Sequence, residues 1–516
     1  PGEEEERITL PCTVNGQMAS GEVNRYRFEA RRGQRLVITT LGRQLVPFIA
    51  DAVPGWFQPV LALYDPGGKE VAYGDDYRFK PDPTIFYEVA RDGDYVCTIR
   101  DSLYRGREDF VYRITIGEVP FITSIFPLGG PAETPARPAI RGWNLGETGP
   151  AAAAGGSQPD ICSLYVTNKG LISNRVPFGL GKLPETLERE PNGDLATAQK
   201  VMLPTIINGR IDKPGDRDVF QFTGKANDVV VAEVQARRLD SPLDSVITLD
   251  DAAGRLLALN DDHEDLASGL NTHQADSYLM AKLPADGRYF VQISDAARQG
   301  GEEYGYRLRL SAPQPDFDLR VVPSSVSLPA RSNADLTMYV QRRDGFAEPV
   351  TVFLKDAVPG FSASPVTMVG TQTVARLTIN TDLTTTKGSV ALSVLGRATV
   401  AGQEIVHAAV PAEDRMQAFL WRHLVPAREL RALVFEPSYE PPPKRLPPPR
   451  PPPVAATNAP SSTNVAAATA APPADKPTFT KEQAAARLKL LKRLFEEGMF
   501  TDEFYLEKVA ECEATE

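Results

Sequence analysis

Residues 203–234 read LPTIINGRIDKPGDRDVFQFTGKANDVVVAEV, and the pattern is three short strands in a row. The spacing predicts that a first strand closes at Asn208-Gly209, a turn dipeptide. Asp216 and Asp218 precede Val219–Phe222, where Phe220 and Phe222 stand two apart and share a face. A turn over Lys225–Asp228 leads into Val229–Val234, a β-branched run suited to a buried strand.

The same unit occurs earlier, in residues 10–38, LPCTVNGQMASGEVNRYRFEARRGQRLVI. Leu10-Pro11 and Asn15-Gly16 answer Leu203-Pro204 and Asn208-Gly209, and Tyr26 and Phe28 answer Phe220 and Phe222. Further along, 61–76 (LALYDPGGKEVAYGDD) matches 247–262 (ITLDDAAGRLLALNDD). Residues 92–101 (DGDYVCTIRD) match 286–295 (DGRYFVQISD), and Tyr112-Arg113-Ile114 matches Tyr306-Arg307-Leu308. Matches in one order, each with strand chemistry, describe an internal repeat. Alternation places Tyr95, Cys97 and Ile99 on one face, with Tyr289, Val291 and Ile293 as counterparts. The Asp-Gly before each run suits a tight turn needing positive φ. Short strands between frequent turn signals predict antiparallel β-sandwiches over 1–118 and 186–312.

This unit resembles the bacterial pre-peptidase C-terminal (PPC) domain. The residues that carry the likeness are Glu190-Pro191-Asn192, the Asn-Gly strand end and Asp216-x-Asp218-x-Phe220. The Gly254…Ala258…Asp261-Asp262 turn and Leu283-Pro284-Ala285-Asp286-Gly287-x-Tyr289 complete it. The resemblance covers 186–312 well and 1–118 more loosely. It implies a non-catalytic sandwich of secreted proteins, often beside proteases, that binds substrates or surfaces and sometimes calcium.

The length, 516 residues, exceeds what one core organises and suggests several domains. Residues 119–185 include Ile140-Arg141-Gly142-Trp143-Asn144-Leu145 and resemble the start of an IPT/TIG-type immunoglobulin-like domain, with Trp143 as a core plug. An Ala/Gly-rich stretch, 150–156, interrupts it, and the segment is short enough to need packing on a neighbour. In 313–434, Leu336, Met338 and Val340 alternate, as do Val350, Val352 and Leu354, then Leu377 and Ile379, then Leu392 and Val394. That region is similar to a bacterial immunoglobulin-like module. Residues 435–477 form a Pro-rich linker, whose proline triplets favour an extended polyproline conformation. The fold class expected is therefore mainly β, with tandem sandwiches, a Pro-rich linker and a C-terminal helical hairpin.

The hairpin is read over 478–516. Leu488, Leu491, Leu494 and Phe495 form an apolar helical stripe. Gly498 suits a left-handed helix end. Thr501 is placed to cap a second helix, with Phe504 and Val509 on its apolar side. The string LKLLKRLFEEGMFTDEF, residues 488–504, resembles the short C-terminal (SHOCT) domain. That likeness implies oligomerisation, with Leu488, Leu491, Leu494, Phe495 and Phe504 as partner-binding residues.

The formal charge of -11 argues against nucleic acid, whose binders present basic stripes. No apolar run has the roughly 18 residues of a membrane span. Because the chain starts at Pro1, the lack of a signal peptide carries no information. The four cysteines, Cys12, Cys97, Cys162 and Cys512, lack metal-ligand spacing. Cys12 and Cys97 are open to two readings, a bridge or two small buried thiols.

No phosphate loop, zincin or nucleophile-elbow motif occurs, so no catalytic residue is assigned. His263, in the acidic run 260–265, and His273 read as a solvated loop or a transition-metal site. Trp56-Phe57 reads as a seal on a sandwich end or an exposed sugar platform. The metal reading is calcium, held by Glu188, Glu190, Asn192, Asp216 and Asp218, because hard oxygen ligands from two segments suit it. The PPC resemblance implies a matching acid-rich stretch that holds calcium in some members, with a further carboxylate or amide expected where this chain has Gly193. Glu22 and Asn24 replace Asp216 and Asp218 in the first copy, so no site is expected there.

These observations point to a secreted, periplasmic or cell-surface protein without enzymatic activity. Its sandwiches would serve as a rigid arm or docking surface, and its hairpin would join protein partners or further copies. The second reading is an accessory module for polysaccharide or protein matrix; an unrecognised hydrolase is a distant third.

Overall fold

The computed structural model describes residues 5–45, 56–133, 137–146, 149, 151–153, 160–263, 275–356, 358–400, 402–414, 424–436, 480–496 and 501–513. The Pro-rich linker, His273, His423 and Gly498 lie outside them. The chain divides into two compact units, Pro1–Glu436 and Pro437–Glu516.

The repeat shares one topology. In the first copy, a five-stranded sheet runs Glu5–Arg7, Asn24–Ala30, Gly93–Asp101, Pro59–Tyr64, Glu70–Gly74. It faces a four-stranded sheet ordered Cys12–Gln17, Val111–Gly117, Arg35–Leu41, Thr84–Glu88. In the second copy, Gln199–Lys200, Arg217–Gly224, Gly287–Asp295, Ser245–Asp251 and Leu256–Asn260 repeat the first order. Its facing sheet is Thr205–Arg210, Gly305–Ser311, Val229–Gln235 and Tyr278–Lys282, with Glu185–Leu187 added in parallel at one edge. The paired aromatics lie in the cores: Phe28 and Tyr95 in one, Phe220, Phe222 and Tyr289 in the other.

The Asn-Gly pairs are not turns. Asn15-Gly16 and Asn208-Gly209 lie inside the strands Cys12–Gln17 and Thr205–Arg210. Glycine is required there for space: a Cβ on Gly209 would lie 2.3 Å from the Tyr306 ring, and one on Gly16 2.3 Å from that of Tyr112. A dipeptide signal records backbone permissiveness, and a close approach needs the same residue. Of the two Asp-Gly turns, Gly93 has φ 145°, whereas Gly287 does not take a positive φ.

Between the copies, strand Phe121–Phe126 pairs with Ala139–Trp143, and Gly129–Pro131, Val176–Gly181, Ile161–Tyr165 and Ala151–Ala153 form a second sheet. Ala151–Ala153 is thus an edge strand in the stretch that the composition read as an interruption. The small core of this region is completed from outside: Leu239, on the 3-10 turn Arg237–Leu239, packs with Ile122, Leu164 and Phe178. Trp143 packs outward on the first copy, 5.4 Å from the Phe86 ring and under the Arg35 guanidinium, so it is a joint and not a central plug.

Apart from the small hairpin of Thr167–Asn168 and Leu171–Ile172, the remaining strands of the body build a third sandwich. A six-stranded sheet contains Asn333–Arg343, Val374–Thr381 and Asp316–Val322, and the smaller sheets carry Val350–Leu354, Val394–Val400 and Leu430–Phe435. Leu336, Met338, Val340, Leu377 and Ile379 are core residues as their alternation requires. Leu392 and Val394 both reach this core from strands of different sheets.

The C-terminal unit holds helices Lys481–Glu496 and Asp502–Glu513. Thr480 and Gln483 cap the first reciprocally, and the Thr501 hydroxyl accepts the Phe504 N–H at the start of the second.

Candidate functional site

The acid cluster is built where residues 188–192 cross the second sandwich beside strand Arg217–Gly224. Val219 N–H donates to Asn192 O and fixes the crossing. Carboxylate oxygens of Glu188, Glu190 and Asp218 lie within 4.8 Å of one another. Asp218 and Asn192 have no solvent exposure. Tyr306 Oη donates to Asp218 Oδ2 at 2.6 Å, and Asn192 Nδ2 donates to Glu188 Oε1 at 2.8 Å. Backbone N–H groups of Arg210 and Asn192 donate to Glu188 Oε2 and Glu190 Oε2.

Two buried acceptor atoms, Asp218 Oδ1 and Asn192 Oδ1, have no protein hydrogen-bond partner among the described residues. Burial first, then the charge of Glu188, pushes the Asp218 carboxyl up to about 10. Burial raises Glu188 as well. Burial beside the Glu188 carboxylate therefore favours the protonated form of Asp218. A hard cation would let them ionise together, and the oxygen donors of Glu188, Glu190, Asn192 and Asp218 have the chemistry that calcium takes. Asp216 lies apart from this group: its carboxylate accepts the Asp212 N–H at 3.1 Å. Gly193 contributes its carbonyl to Arg217 Nε instead of a ligand.

The first copy answers with a neutral network. Asn24 Nδ2 donates to Tyr112 Oη at 2.8 Å, and the Tyr26 and Tyr112 hydroxyls are 2.6 Å apart. Glu22 accepts the Ala19 N–H. Tyr306 was invisible as a site residue in the sequence, although its match to Tyr112 beside the Asn-Gly pair carried the signal.

In the hairpin, Leu491 and Phe495 pack against Tyr505 and Cys512, with Leu488 and Val509 at the margin. The Phe495 and Tyr505 rings stack at 4.5 Å. Much of the stripe assigned to a partner therefore faces the other helix; Leu494 is half-buried. Phe504, assigned to a partner with that stripe, is 41% exposed, as Leu490 is at 47%. Tyr505 takes the inner position because helix pitch turns it, and not Phe504, towards Phe495.

Other candidates resolve simply. Trp56 and Phe57 are buried against Phe110, at ring distances of 5.3 and 5.5 Å, so they seal the sandwich end and offer no sugar platform. Cys12 and Cys97 are free thiols; Cys97 is fully buried and Cys12 half-buried in the opposite sheet. The His263 ring lies 4.9 Å from Tyr278, and His407 Nε2 pairs with Asp316 at 2.7 Å.

Two largely buried arginines sit at the joints between modules. Arg307 pairs with Glu185 at 2.8 Å, its side chain lying under Gly129, Gly179 and Gly181. Arg309 bridges Glu233 and Asp344, whose carboxylate also accepts from Tyr278 Oη.

No family model matches the chain. A stretch of 108 residues is 43% identical to a probable subtilase-type serine protease of Deinococcus radiodurans, covering 20% of this chain and 14% of that protein. The chain therefore spans about a seventh of that relative. Among solved structures, the pre-peptidase C-terminal domain of a Bacillus anthracis collagenase aligns over 22% of this chain and 97% of its own, at 16% identity and TM-score 0.17. PliG, a periplasmic inhibitor of g-type lysozyme from Aeromonas hydrophila, aligns over 22% and 98%, at 11% identity and TM-score 0.16. Among the described residues, no helix is long and apolar enough to cross a membrane.

Proposed function

We propose that this chain is a non-catalytic, secreted or envelope-associated assembly protein. Its sandwiches act as one stiff body, and its helical hairpin docks to protein partners or to further copies. The observation that carries this reading is the pairing of Arg309 with both Glu233 and Asp344 across the second and third sandwiches. Buried charges paired across a joint hold one geometry, since parting them leaves each charge desolvated and alone. The hairpin supports the docking half: it belongs to a compact unit of its own, and Phe504 and Leu490 keep 41% and 47% of their surface exposed. A core of about this size is marginal without a covering surface.

The test is deletion of residues 480–516. Loss of self-association, or of a captured partner, supports the reading; an unchanged solution mass with no partner lost ends it.

An accessory binding role is the second reading. It is favoured by the segment shared with a subtilase-type protease, of which that segment is a small part. Binding to polysaccharide or protein matrix retained by residues 1–436 would support it. In either reading, calcium at Glu188, Glu190, Asn192 and Asp218 stiffens the second sandwich and supplies no reaction step.

A further inference from the structure

The two C-terminal helices run antiparallel. Phe495 stacks on Tyr505 near one end, and towards the other end Arg487 pairs with Glu511 at 3.3 Å. A helix turns about 100° per residue, so Leu490 points a quarter turn away from the buried Leu491, and Phe504 a quarter turn away from the buried Tyr505. Because the helices run in opposite directions, both quarter turns lead to the same side of the pair. Leu490 and Phe504 therefore share one face, at 47% and 41% exposure, with the half-buried Leu494 on the same side. Neighbours in a square four-helix bundle stand a quarter turn apart, so this is the face that a second helical pair would cover.

The helices also differ in charge. In the first, Lys481, Arg487, Lys489, Lys492 and Arg493 outweigh Glu482 and Glu496. In the second, Asp502, Glu503, Glu507, Glu511 and Glu513 outweigh Lys508. A second copy related by a two-fold axis along the helices would set each basic helix beside an acidic one. A two-fold axis across the helices would set like charge against like. The first axis also preserves height. The level of Phe495 is that of Tyr505, so Arg493 of one copy falls level with Glu507 of the other. Both side chains are exposed and flank the apolar face on its outer side.

We propose that this chain dimerises through its hairpins as a four-helix bundle, burying Leu490 and Phe504 and pairing Arg493 of each copy with Glu507 of the other. This pairing rests on the docking reading of the hairpin and names its partner, a second copy of the chain.

Sedimentation equilibrium of the full chain at micromolar concentrations is expected to show a dimer. Arg493→Glu and Glu507→Lys should each weaken it by about tenfold, because the symmetry repeats every reversed pair. Mixed in equal amounts, the two variants should associate as tightly as the natural chain, since both contacts are then between opposite charges. Lys492→Glu alters an exposed charge on the far side of the same helix and should change nothing. Unchanged circular dichroism shows that each variant keeps its helices. A monomer throughout, equal weakening by Lys492→Glu, or no recovery on mixing would overturn the proposal. A monomeric chain that captures a different protein through the hairpin overturns it and leaves the docking reading standing; a monomer that captures nothing ends both.

Discussion

Tyr306 donates its hydroxyl hydrogen to Asp218 at 2.6 Å, while the other oxygen of that carboxyl is buried without a protein partner among the described residues. One half of the acid is satisfied by the fold, and the other half is left for a proton or a cation.

This sets a pH dependence. Burial and Glu188 raise Asp218 from 3.8 to about 10. Between those values the folded chain holds a proton that the unfolded chain releases, so metal-free stability should fall as pH rises through that window. Millimolar calcium should reverse the trend, adding about 2.7 kcal/mol at a hundredfold excess over its dissociation constant. Asp218→Asn should remove both effects. Thermal unfolding at several pH values, with calcium and with chelator, checks this.

Gly209→Ala should destabilise the second sandwich by about 1–3 kcal/mol, because the new methyl meets the Tyr306 ring at 2.3 Å and Glu188 Oε2 at 2.7 Å. It should also weaken calcium binding by displacing Glu188. Urea unfolding and a calcium titration measure the two effects separately. Gly16→Ala should show the first effect alone.

Asp344→Ala leaves Arg309 with one of its two carboxylates and strips Tyr278 of its acceptor. A loss of about 3 kcal/mol is expected, the lower end for breaking a buried pair. The same joint should weaken in acid. Burial acts to raise Glu233, but Arg238 and Arg309 override it and hold it at about 2. Its contribution is present above the ordinary value near 4.5 and is lost as pH falls towards 2. Urea midpoints of both proteins at pH 7 and pH 3 report it.

In the hairpin, Phe495→Ala and Phe504→Ala should part ways. The first removes the ring stacked on Tyr505 and should cost helicity. The second removes an exposed ring and should leave helicity intact while reducing self-association or partner capture. Circular dichroism with sedimentation separates them.

Cys97 should resist thiol reagents in the native state, since burial pushes its thiol up to about 12. Cys12 is half-buried and should label sooner. Mass before and after reduction should be the same.

The amino-acid sequence by itself determined the mainly-β class, the two diverged copies and the helical pair. Period-two alternation in Tyr95–Ile99 or Leu336–Val340 reports one buried face, and burial is what drives a strand to its place. It also brought Glu188, Glu190, Asn192, Asp216 and Asp218 onto one candidate, because hard oxygen donors gather in two segments, and the structure sets Asp216 apart from the other four. Only the tertiary structure decided what depends on a distant neighbour. Gly209 is glycine because of Tyr306, Trp143 faces Phe86, Leu239 completes another region's core, and Asp344 answers Arg309. Tyr505, which the apolar stripe did not single out, stacks on Phe495 across the hairpin. Local spacing carries which face is apolar; which surface meets that face is set by contacts between segments far apart in the chain.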